Sequence, residues 1–162
     1  MNQQEHNKTP GREFALKFLF QLFIKENVDL KERFLSSSVN KEDLEEQLIE
    51  FKESYLQPDE EHQDNQIDDK NFFFACKLVK GIALHMSRIE ELIKAETKRE
   101  SLDNIEKIER CVLLVGTEEL FYFDTPYQVV LSELVGLAKK YGGENSGRFV
   151  NGVLDGIRGK KN

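Results

Sequence analysis

Cysteine, proline and histidine are all scarce in these 162 residues, and each scarcity narrows what the chain can be. The two cysteines, Cys76 and Cys111, each sit in an apolar helical stretch with no second Cys or His at metal-ligand spacing. They read as buried free thiols, not as a zinc site. His6, His62 and His85 are scattered, and none stands at a spacing that suits a metal or a nucleophile relay. Only 3 Pro and 10 Gly accompany 39% apolar and 33% charged residues, a balance that excludes wholesale disorder and fits one folded domain. No apolar run approaches the roughly 20 residues of a membrane span. The opening, Met1 to Arg12, lacks the apolar centre of a signal peptide, so a soluble, cytoplasmic protein is expected. No stretch alternates polar and apolar over strand length, hence no glycine-rich phosphate loop can follow a strand. Carboxylates are abundant but fall in charge-rich stretches, which favours solvation over general acid–base work. An enzyme is not expected, and neither is a cofactor.

What is present is charge, unevenly placed. The net charge of −7 would repel a polyanion if it were spread evenly. Between Asn40 and Asp69, however, twelve acids face only Lys41 and Lys52, a local −10 that leaves +3 for the rest. From Lys139 onward six basic residues outnumber two acids. A polyanion can therefore be met locally at the carboxyl end.

Helical periodicity accounts for most of the chain. Thr9-Pro10 opens a helix over about residues 10 to 26, with Phe14, Phe18 and Leu22 on one stripe. From 27 to 70 the pattern weakens to one short amphipathic helix (Leu44, Leu48, Phe51, Tyr55) and an acidic stretch after Gln57-Pro58 that reads as a mobile loop. Phe72, Cys76, Val79, Ala83, Met86 and Ile93 mark a long helix. Asp103 and Glu106 form a capping-box pattern before the next, which is apolar on nearly every side around Cys111 to Gly116 and should run through the centre. Asp124-Thr125-Pro126 starts another helix, ended by Gly142-Gly143. Asn145 and Ser146 are capping residues for the last, whose stripe is Phe149, Val150, Val153, Leu154 and Ile157. The fold class is all-α.

Two stretches are more specific than periodicity. They are Thr125-Pro126-Tyr127 through Ala138-Lys139-Lys140-Tyr141-Gly142, and Arg148-Phe149-Val150-Asn151-Gly152-Val153-Leu154-Asp155. Together they resemble the C-terminal half of the NusB family of transcription antitermination factors, and the second motif matches closely. Glu109-Arg110 with Val112-Leu113 and Glu119-Leu120 resembles the preceding family helix, and Arg12-Glu13-Phe14-Ala15 the end of its arginine-rich opening.

The resemblance implies a NusB-like fold of two small helical bundles packed into one domain spanning 1–162, with 1–9 a flexible lead-in and about 27–70 a divergent acidic insert. It also implies a non-enzymatic role. The chain would bind boxA-type single-stranded RNA together with the ribosomal protein that serves as NusE, within the RNA polymerase antitermination complex on ribosomal RNA operons. Carried over position by position, Lys8, Arg12, Asn145, Ser146, Arg148 and Phe149 would meet RNA, and Phe20 and Glu109 the protein partner. A single-stranded element is read by stacking on aromatic rings and by donors to base edges, while Lys and Arg neutralise phosphates.

The chain departs from the family pattern in four places. Its arginine cluster is reduced to Lys8 and Arg12, Ser132 precedes Glu133 where the family carries Asn, Leu114 replaces an Arg, and the middle segment is longer and more acidic. Blander readings stand beside the sharp ones. Phe149 also fits the first core position of its helix, Asn151-Gly152 fits close helix packing, and Lys139, Lys140 and Glu109 fit a solvated surface. The alternative to RNA recognition is a protein-interaction module that kept the fold.

Overall fold

A computed structural model describes residues 7–24, 28–57 and 65–161. His6, His62 and most of the acidic loop expected after Gln57 lie outside the described residues. Seven α-helices fill what is described. α1 spans Thr9–Ile24, α2 Val28–Leu35, α3 Lys41–Tyr55, α4 Asp69–Thr97, α5 Lys107–Tyr122, α6 Tyr127–Gly142 and α7 Glu144–Arg158. One 3-10 turn, Leu102–Asn104, precedes α5, and no strand forms among the described residues. The all-α fold expected from periodicity is the fold found.

Local chemistry sets the ends. Asn40 accepts from the Glu42 amide at 2.9 Å to start α3, and the Asp68 carboxylate accepts from the Asn71 amide at 2.8 Å to start α4. Lys98, left-handed at φ 55, ends α4. The expected capping box before α5 is not made. Ser101 caps the 3-10 turn instead, Glu106 stands at the N-cap of α5 with no side-chain hydrogen bond, and Asp103 pairs with Arg110 at 3.5 Å. α2 escapes the sequence pattern because only Leu30 and Phe34 anchor it, one i, i+4 pair without a further repeat. The amphipathic helix expected on Leu44, Leu48, Phe51 and Tyr55 is α3: Glu42, Glu45, Glu46, Glu50 and Glu53 stud its exposed face while Leu44 and Leu48 are buried.

α4 and α5 hold the two bundles together. α4 has 29 residues, about 43 Å of helix at 1.5 Å per residue, and packs on α1, α2 and α3 as well as on α5 and α7. Every residue from Cys111 to Leu120 is buried, so α5 is the central helix that its composition implied. Gly116 lets α6 and α7 close on it, since a Cβ there would fall 2.8 Å from Leu154. One continuous core joins Phe14 and Phe18 of α1 to Ile82 and Met86 of α4 and to Leu154 and Ile157 of α7.

Candidate nucleic-acid interface

The corner where α6 ends and α7 begins depends on one glycine. Gly143 adopts φ 92, a backbone angle open to glycine and strained for other residues, and serves as both C-cap of α6 and N-cap of α7. No side chain caps α7, so the amides of its first turn point outward beside the partial positive charge of the helix end. Asn145 and Ser146 therefore lie inside the first turn and do not cap it. Asn145 and Arg148 are exposed, and the Arg148 guanidinium donates to Asn145 Oδ1 at 3.3 Å. Phe149 is half-buried against the core and keeps part of its ring on the surface. Ser146 is buried and its hydroxyl donates to the Gly142 carbonyl at 3.2 Å, so only its backbone amide remains for a ligand.

Lysines frame this corner. The stem of Lys139 lies over Gly147, where a Cβ would come within 2.5 Å of Lys139 Cγ, and its ammonium stands 3.9 Å from Glu144. Lys140 donates to Glu13 at 2.9 Å, and the Tyr141 hydroxyl donates to the same carboxylate. Burial alone would raise the Glu13 carboxyl. The hydrogen bonds from Tyr141 and Lys140, with the nearby charge of Lys17, outweigh it and hold the carboxyl below its ordinary value.

Arg12 is the main correction to the sequence reading. Expected to meet RNA phosphates, it is 2% exposed, and its guanidinium grips the buried Glu119 carboxylate of α5, Nε at 2.6 Å and Nη2 at 2.7 Å. The pair ties α1 to the central helix and leaves no free face for a phosphate. Lys8 remains at the surface with its ammonium 5.1 Å from the Phe74 ring.

Of the two residues expected to face a protein, Phe20 stands on a groove wall and Glu109 is next in sequence to a wall residue. Phe20 lines a groove of about 420 Å³ together with Leu16, Phe51, Tyr55, Ile108 and Tyr141. Glu109 follows Ile108 on α5 and is only partly exposed; burial and the neighbouring Glu106 raise its carboxyl. Tyr141 connects the groove to the α7 corner. One constellation on the far side of α1 escaped the sequence reading. Lys8, Lys77, Lys80, His85, Tyr122 and Asp124 line a cleft of about 960 Å³. Its sequence signal is Glu118-Glu119, two acids within the buried run from Cys111 to Leu120.

Among the described residues no group of His, Cys, Asp or Glu could hold a metal ion, and no helix is long and apolar enough to cross a membrane. Burial pushes the Cys76 thiol up to about 11 and the Cys111 thiol up to about 12, which leaves both unreactive near neutrality.

Comparison with known proteins agrees with this architecture. A family model described as the NusB family matches residues 9–158. The transcription antitermination protein NusB of Anaeromyxobacter dehalogenans is 34% identical over 150 residues, 93% of this chain and 89% of that protein. Its namesake from Clostridium novyi is 32% identical over 91% of this chain and 95% of its own length. Among solved structures, NusB of T. maritima superposes with a TM-score of 0.71 at 31% identity, covering 98% of this chain and 94% of that one. A chain from the antitermination factors NusB and NusE in complex with dsRNA superposes at 0.70 and 25% identity, covering 94% of this chain and 96% of that one. Motifs, helix order and matched length agree, and the chain belongs to the NusB family.

Proposed function

We propose that this chain is a transcription antitermination factor that binds boxA-type RNA together with the NusE-role ribosomal protein and supports ribosomal RNA transcription. The observation that carries the reading is the uncapped start of α7 behind Gly143, with Asn145 and Arg148 exposed and Lys139 beside them. Free amides and a guanidinium receive phosphate oxygens, Asn145 reads a base edge, and the exposed part of Phe149 offers a surface for stacking. Lys8 adds a phosphate contact near the start of α1. The groove at Phe20, continued by Glu109, receives the protein partner, so RNA and partner meet along one seam through Tyr141. The relatives named as antitermination proteins, and the neighbour solved with NusE and double-stranded RNA, support the same assignment. It is a binding activity exercised in the cytoplasm as part of the RNA polymerase complex, with no catalytic step.

A protein-interaction module without RNA binding is the second reading, favoured by the burial of Arg12, which withdraws one of the two opening cations from the surface. Reconstituted transcription separates the two. On a template with a boxA element upstream of a terminator, adding this chain with the NusE-role protein should raise read-through. Equal read-through with and without the chain, once partner binding has been verified, would leave only the interaction module.

A further inference from the structure

The cleft beside the start of α1 is built around a pair of stacked rings. His85 of α4 and Tyr122 at the end of α5 lie 3.6 Å apart between centroids and 9° from parallel. The imidazole cannot swing freely, because its Nδ1 is 2.9 Å from Oε2 and 3.2 Å from Oε1 of Glu118. Glu118 is itself fixed. It is buried and seated over Gly81, where any Cβ would run into Oε1. Gly81, Glu118 and His85 therefore pre-orient Tyr122, which is 44% exposed and lines the cleft.

Cations surround this platform. Lys77 sits 5.7 Å from the rings of both Phe73 and Phe123, Lys8 faces Phe74, and neither lysine has a carboxylate at ion-pair distance among the described residues. Lys80 is 3.6 Å from Glu45 on the exposed face of α3. Asp124 and Thr125 stand at the lip, and Glu133, which accepts from the Thr9 hydroxyl, closes the far wall. A rigid ring with unpaired ammonium groups beside it and a carboxylate within the same cleft suits a nucleotide. The base stacks on Tyr122, Lys8 or Lys77 takes the phosphate, and Asp124 accepts from an exocyclic amine.

We propose that this cleft is a nucleotide-binding subsite, in which Tyr122 stacks one base of the RNA strand and Lys77 neutralises its phosphate. The proposal rests on the RNA reading above and extends the strand beyond the α7 corner, past Lys8, to the α5–α6 turn. The assignment favours a base with an exocyclic amine over uracil at that position.

The test uses the full chain with its NusE-role partner and boxA-type RNA carrying 2-aminopurine at successive positions. One position should lose fluorescence on binding, and Tyr122→Ala should abolish that quench and weaken affinity about tenfold, as expected for one lost base stack. Tyr122→Phe should restore the quench, and Lys77→Ala should lower the slope of log affinity against log salt by about one. Thermal melting of each variant separates lost stacking from lost folding. If Tyr122→Ala and Lys77→Ala bind RNA as wild type does while Arg148→Ala weakens it, the subsite is wrong and the RNA reading stands. If wild type itself binds no RNA, both fail together.

Discussion

Arg12 and Glu119, 107 positions apart in sequence, form a buried two-pronged ion pair that fastens the first helix to the central one. A guanidinium resembling part of an RNA-binding cluster is thus engaged inside the protein. Arg12→Ala leaves the Glu119 carboxylate buried without its partner and should destabilise the fold by about 3–5 kcal/mol. Replacing both residues with leucine should cost less than removing either alone. Urea denaturation checks the ordering, and a single variant as stable as wild type would contradict it.

Arg148 presents the opposite case, since it is exposed and its guanidinium donates to Asn145. Arg148→Ala should leave stability within about 0.5 kcal/mol of wild type. It should weaken RNA binding and reduce the salt slope by about one phosphate contact. A titration at several salt concentrations measures both quantities.

Gly143 sets the geometry of the α7 corner. Gly143→Ala should destabilise by roughly 1 kcal/mol or more because φ 92 strains any residue with a Cβ, even though that Cβ would meet no more distant part of the described residues within 4 Å. The loss should appear in thermal melting together with weaker RNA binding. An unchanged melting temperature would show that the turn is not strained.

Glu118 makes stability depend on pH. Burial raises its carboxyl from an ordinary 4.5 to about 7, with the His85 hydrogen bond opposing. Between these values the folded state holds a proton that the unfolded state releases. Folding is therefore favoured at low pH, and this contribution is lost as pH rises from about 4.5 to about 7, on the order of 2 kcal/mol. Glu118→Gln should flatten that segment of the stability profile, as urea midpoints across the range would reveal.

Phe20 tests the groove. Phe20→Ala should reduce affinity for the NusE-role protein by at least severalfold, as for a buried aromatic anchor. RNA affinity without partner should be untouched, because Phe20 lies on the groove side of α1 and not at the α7 corner. Isothermal titration with each ligand separates the two effects.

The helices were legible wherever an apolar stripe repeats three times or more, which is why α1 and α3 to α7 follow from the sequence and α2, with Leu30 and Phe34 alone, does not. The α7 corner was legible because its motif is specific. What the sequence obscured was burial of charge, since an arginine has the same letter whether it meets phosphate or Glu119. The cue available was Glu118-Glu119 at the end of the run from Cys111 to Leu120. Acids on a helix buried on every side require partners, and here these are His85 and Arg12.

Cooperation between the two surfaces is the central claim, and a fluorescence titration of boxA-type RNA at moderate salt, with and without saturating NusE-role protein, tests it most directly. The predicted result is RNA affinity that rises severalfold or more when the partner is present and falls steeply with added salt. Identical binding curves under the two conditions, or no saturable binding in either, would contradict it.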